Sequence, residues 1–257
     1  MISIRNTENL TGVTISGDFY DFYDLVDAFH EIAIDEYSEK HIHYHAMSTR
    51  LLGICYDVRH AYMGDREVAF VDNHMNEDKM AWHGVIAPQQ NIYYECNIFY
   101  TEMIFAMLAI NELIKIRMQD LIKSKHLMYD SYTNKKVIWD KTIIVLRAFQ
   151  SAFAKCVQDT LTPNSYSRWL STITNPYTNI FSIATQYLDI ITIKWIDWTK
   201  EKRLKSLSSV TRRIADFWDD DEHNEIKREV YLAAKEFNCH ESEIRLKDYD
   251  YPVDIAW

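Results

Sequence analysis

The chain has 257 residues, with 38 acidic against 28 basic side chains (net charge −10), 47% hydrophobic residues, seven Trp and 17 Tyr. That hydrophobic and aromatic content excludes a disordered chain, and the length suffices to bury a core without metal or disulfide staples. The acidic balance repels phosphate backbones and disfavours nucleic acid as a partner.

Ile2-Ser3-Ile4 and Val13-Thr14-Ile15 alternate apolar with polar around the turn-rich segment Asn6 to Gly12, a pattern that predicts a β-hairpin. Gly17-Asp18 then opens a helix with Asp18 as N-cap and Phe22, Leu25, Val26, Phe29 and Ile32 as its buried stripe. Asp18, Asp21, Asp24 and Asp27 recur every three residues and read as a solvated face, not a cation site. A second helix is expected over 41–63, with Tyr44, Met47, Leu51, Cys55, Val58 and Tyr62 facing the core. Arg50, Gly53, Asp57 and His60 fall on the adjoining face, and Arg59 points the other way. Gly53 inside a helix costs about 1 kcal/mol against Ala, which suggests a close approach there, and Gly64 stops the helix. A strand at 67–72, a short helix at 76–83 and a strand from Asn91 to Phe99 follow.

No glycine follows Gly84, so the remainder holds no glycine-rich phosphate loop and reads as helices. Thr101 is expected to cap a helix running to about Lys123, with Lys123 and Lys125 at its basic end. Further helices are predicted at 135–161, 164–173, 177–199, 201–218 and 221–237, with Pro163 and Pro176 at helix starts. The apolar stretch from Ile180 to Trp198 carries Asp189, Lys194 and Asp197, which fits a buried helix better than a membrane span. The fold class is therefore α+β: residues 1–100 with a small antiparallel sheet and helices, residues 101–257 mostly a helical bundle, the two packed as one globule. Widely spaced Cys55, Cys96, Cys156 and Cys239, with no CxxC pair, and an N-terminus without a secretory signal predict reduced thiols and a cytoplasmic location.

Asp57, His60 and Arg66 are the candidate catalytic residues: Asp57 would orient His60 as general base while Arg66 stabilises an anion. Arg50 and Asp65 are candidate ligand-binding neighbours. Such a group suits cleavage of a phosphodiester or binding of a nucleotide. The same residue types also make a buried ion-pair network fixing a helix end to a sheet, and the sequence favours that reading. His41, His43 and His45 alternate as metal ligands on a strand would, but no HExxH or CxxC accompanies them. They read as histidines at an exposed helix start, so no metal and no cofactor is expected. GxSxG, Walker and dinucleotide glycine patterns are absent. A basic block (Lys200, Lys202, Arg203, Lys205, Arg212, Arg213) precedes an acidic one (Asp216, Asp219, Asp220, Asp221, Glu222, Glu225), which predicts a charge match within or between subunits.

The opening IRNTENLTGVTISGDF and the block RLLGICYDVRHAYMGDRE from Arg50 to Glu67 resemble a bacterial family of about this length, a domain of unknown function. The resemblance is carried by the first hundred or so residues and fades in the helical half. It implies an α+β front and a role for the polar block, but no activity or cofactor. The first functional reading is a soluble interaction protein that binds a protein partner or itself, in toxin immunity or host–phage conflict. The second is a hydrolase or nucleotide-ligand binder centred on Asp57, His60 and Arg66.

Overall fold

The computed structural model describes residues 1–35, 39–122, 134–239, 241–246 and 251–257. The N-terminal alternation folds as an antiparallel pair, β1 (Ser3–Asn6) and β2 (Gly12–Gly17), with Ile4 opposite Ile15. Helix α1 (Phe19–Ile32) begins with a capping box in which Asp18 and Asp21 satisfy each other's backbone N–H. Of the other acids in that series, Asp24 pairs with Lys141 at 2.7 Å. A 3₁₀ stretch (Glu39–Tyr44) leads into α2 (His45–His60), which widens into a π turn (Ala61–Asp65) where Gly64 takes φ +91°. Strand β3 (Glu67–Asp72), short helix α3 (Glu77–His83) and the long strand β4 (Gln90–Phe99) complete an antiparallel sheet of order β1-β2-β4-β3.

β4 passes directly into α4 (Tyr100–Ile122), every residue of which from Met103 to Ile110 is buried. A helix apolar all round belongs in the middle of a core, and α4 packs against α1, α2 and the sheet as well as the later helices. Thr101 does not cap it; its hydroxyl bonds Thr192 at 2.7 Å. The expected basic end at Lys123 and Lys125 lies outside the described residues.

The helix expected at 135–161 divides into α5 (Lys135–Ile138) and α6 (Lys141–Thr160). Asp140 divides it, because its carboxylate caps Ile143 N–H at 2.9 Å and also receives Arg117. After α7 (Pro163–Ile173), the helix expected from 177 starts only as α8 (Thr185–Ile196). Side chains take the backbone N–H groups ahead of it: Asn175 accepts from Tyr177, buried Glu112 from Ile180, and His223 Nε2 from Ala184. α9 (Lys200–Ala215) and α10 (Asp221–Phe237) follow.

One hydrophobic cluster runs from Leu10 to Val230 and draws on both halves of the chain. Polar clamps cross it too. Trp195 Nε1 donates to Thr11 O at 2.9 Å, and buried Arg203 donates to the carbonyls of Asn9, Trp195 and Ile196. Among the described residues no helix is long and apolar enough to cross a membrane.

Candidate functional site: an acidic and aromatic cavity

The π turn and the C-terminal half of β4 stand on one side of a cavity of about 700 Å³. α2 supplies Arg50, Gly53 and Asp57; the turn and β3 supply Asp65, Arg66 and Glu67; β4 supplies Glu95 to Phe99. Glu102 of α4, Asp189 of α8, and Tyr251 and Trp257 of the C-terminal segment close it. Six carboxylates thus line the space against two guanidinium groups, with Arg5 gripping Glu95 through two 2.8 Å bonds from the β1 side.

The innermost cation is Arg50, only 15% exposed, which donates to both oxygens of Glu102, to Asp189 at 2.9 Å and to Thr185 O at 2.9 Å. Burial works to lower its pKa, but Glu102 and Asp189 outweigh burial and hold it above the ordinary arginine value. Tyr251 donates to the same Asp189 oxygen at 2.7 Å. Its ring stacks on Phe99 (centroids 5.7 Å), which stacks on Trp257 at 4.8 Å, so three aromatic rings in series line the cavity beside its carboxylates. Gly12 admits the indole, since a Cβ there would lie 2.9 Å from the Trp257 ring and 2.1 Å from Ile98 O. Trp257 O in turn receives Asn9 N–H and Asn9 Nδ2.

At the rim, Arg66 donates to Asp57 at 2.8 Å and to Asp65 O at 3.1 Å; both members of the ion pair are 37% exposed. The Asp57 hydrogen bond raises the Arg66 pKa. His60 Nδ1 lies 2.8 Å from Asp65. The five sequence candidates therefore fall into two rim pairs, Asp57–Arg66 and His60–Asp65, with Arg50 bound elsewhere. Asp57 is partnered by Arg66, not His60, and His60 is not among the lining residues. The expected buried network at the helix end is a half-exposed rim; the buried ion network lies about two turns earlier on α2, at Arg50, with Glu102 and Asp189. Gly53 permits no close approach: a Cβ there would meet nothing within 4 Å, because the helix faces the cavity.

Cys96, also in the lining, is buried, and burial together with Asp57 pushes its thiol up to about 12, so it stays protonated. His41 and His43 lie in the 3₁₀ stretch and His45 opens α2; His43 packs on Phe181. Among the described residues no group of three or more His, Cys, Asp or Glu side chains is placed to share a metal ion. Three of the six residues of the basic block bond oxygen acceptors within the chain through their side chains: Arg203 is buried on carbonyls, Arg212 pairs with Asp216, and Arg213 with Asp220 and Glu222.

A family model described as a domain of unknown function, DUF6904, matches residues 2–257. The chain belongs to that family. The DUF6904 match extends through the helical half, past the first hundred residues that carry the sequence resemblance, so all the elements around the cavity lie within it. No curated protein and no solved structure matches the chain.

Proposed function

We propose that this chain is an interaction protein whose cavity receives a basic group, the guanidinium or ammonium side chain of a protein partner. The observation that carries this reading is the lining itself: carboxylates outnumber guanidinium groups, and Phe99, Tyr251 and Trp257 line the same space. An organic cation gains twice in such a space, from charge and from the ring faces, the latter contributing about 0.5–2 kcal/mol. The two guanidinium groups present are already engaged by Glu102, Asp189 and Asp57. A nucleotide phosphate would have to displace those carboxylates and sit among the rest, so the hydrolase or nucleotide-binder reading ranks second. The acidic lining likewise argues against nucleic acid.

The setting we propose is the cytoplasm of a bacterium, in toxin immunity or host–phage conflict. Free cysteines, three of them buried, support a reducing compartment; the bacterial setting rests on the sequence resemblance.

Calorimetric titration of the full chain with a short arginine-containing peptide and its glutamate analogue tests the reading. The basic peptide should saturate one site with an affinity that falls as salt rises. Reversing rim charge by Asp65→Lys with Glu67→Lys, both at exposed positions, should weaken binding at least ten-fold while the melting temperature holds. Equal binding of both peptides, or none, would refute it.

A further inference from the structure

Residues 63–92 form an arm in which no side chain is buried. β3 lies at the edge of the sheet and α3 contributes nothing to the core. On the sheet face that carries Val13, Ile15, Cys96 and Ile98 under the helices, the alternation continues outward through Ile92, Val68 and Phe70. There the helices have ended, and Phe70 is 63% exposed and Ile92 49%. Trp82, at 82%, and Ile86, at 100%, stand on the same arm. A two-stranded extension with a bare apolar face is marginal by itself, and an unpaired edge strand is a template for another strand.

We propose that β3 pairs antiparallel with β3 of a second copy of this chain about a two-fold axis, joining the two sheets edge to edge. In Arg66-Glu67-Val68-Ala69-Phe70-Val71-Asp72 the apolar face is self-complementary when Ala69 sits on the axis, while on the other face Glu67 of each copy faces Val71 of the other. Val68 of each copy then faces Phe70 of the other, and Arg66 of each faces Asp72 of the other, all four pairs on the apolar face. Arg66 already has the extended backbone this needs (φ −133°, ψ −164°), and its guanidinium would be shared between Asp57 and the second copy. A shift of one residue sets Glu67 against Asp72 and turns the apolar face of one copy to the polar face of the other. Centring on Phe70 sets Val68 against Asp72 and Arg66 against His74. Charge complementarity therefore selects both the occupant, a like strand, and one register.

Sedimentation of the full chain tests the association, and a single introduced cysteine tests the register. The wild type should sediment at twice 30.5 kDa. Phe70→Glu, and separately Asp72→Lys, should raise the dissociation constant at least ten-fold with an unchanged circular dichroism spectrum, and should remove the dependence of the melting temperature on protein concentration. Ala69→Cys should form a disulfide-linked dimer under mild oxidation, because paired residues on an antiparallel axis bring their Cα atoms to about 4.5–5.5 Å; the wild type, with its own four cysteines, should not. A monomeric wild type at millimolar concentration would overturn the proposal. So would a dimer indifferent to both charge variants, an Ala69→Cys variant that fails to cross-link, or a monomer that instead holds a different protein on β3.

Discussion

Replacing Arg50 by Met is the perturbation whose outcome follows most directly from the site. The side chain is 15% exposed and bonds two carboxylates and one carbonyl, so its loss leaves Glu102 and Asp189 facing each other without a counter-charge. Removing one partner of a buried ion pair costs about 3–5 kcal/mol. Because the network opens onto the cavity and water can reach the orphaned carboxylates, the low end, about 3 kcal/mol, applies. For a chain of this size that lowers the melting temperature by about 6–12 °C. Thermal and urea unfolding should agree on the loss with an unchanged urea m-value. The further changes Glu102→Gln and Asp189→Asn, made on top of Arg50→Met, should recover most of it, since they remove the unpaired charges themselves; Thr185 O still lacks its donor, so recovery stays incomplete. A drop below about 2 °C on that scale, or a triple variant no more stable than the single one, would refute the electrostatic account of the site.

Two glycines should respond in opposite directions. Gly53→Ala, in open space on α2, should stabilise the protein by about 1 kcal/mol through helix propensity. Gly12→Ala should cost about 1–3 kcal/mol, because its Cβ would meet Ile98 O and the Trp257 ring. Urea midpoints of the two variants check both signs. His223 is fully buried, accepts Ala184 N–H through Nε2, and is held by burial below the ordinary histidine pKa of 6.5. The unfolded chain therefore takes up a proton that the folded chain refuses. Stability should fall as pH drops below about 6.5, by at most about 1.4 kcal/mol per pH unit from this group. His223→Gln should remove that component, and parallel pH profiles of the two proteins would contradict it.

The parts of the fold written in local sequence were legible there. Alternation at Ile2 to Ile4 and Val13 to Ile15 gave the hairpin, Asp18 the start of α1, and the aromatic run before Phe99 the core of β4. What escaped was settled by side chains distant in sequence. Pro176 and the apolar stretch that begins at Ile180 suggested a helix from 177, yet Glu112 and His223 capture N–H groups ahead of Thr185 from other elements. Asp140 ends one helix and begins the next because Arg117 holds it in place as a cap.

The candidate site was half legible for the same reason. The polar residues between Asp57 and Arg66 span the end of α2 and the π turn, and Asp57, Asp65 and Arg66 do stand at a cavity, whereas His60 does not line it. Glu95, Glu102, Asp189, Phe99, Tyr251 and Trp257 reach that cavity from four separate places in the chain, and no spacing announces them. Asp189 left one trace, a carboxylate inside the most apolar stretch of the sequence. It bore on the question of a membrane span, while its partner, Arg50, lay far away on α2.

The most direct test of the central claim is a structure of the full chain bound to the arginine-containing peptide. The account predicts the guanidinium inside the cavity, against the Phe99 and Trp257 rings and within hydrogen-bond reach of a lining carboxylate, with Arg50 still on Glu102 and Asp189. A peptide lying elsewhere, or a phosphate group from a nucleotide soak seated on Arg66 in place of Asp57, would contradict it.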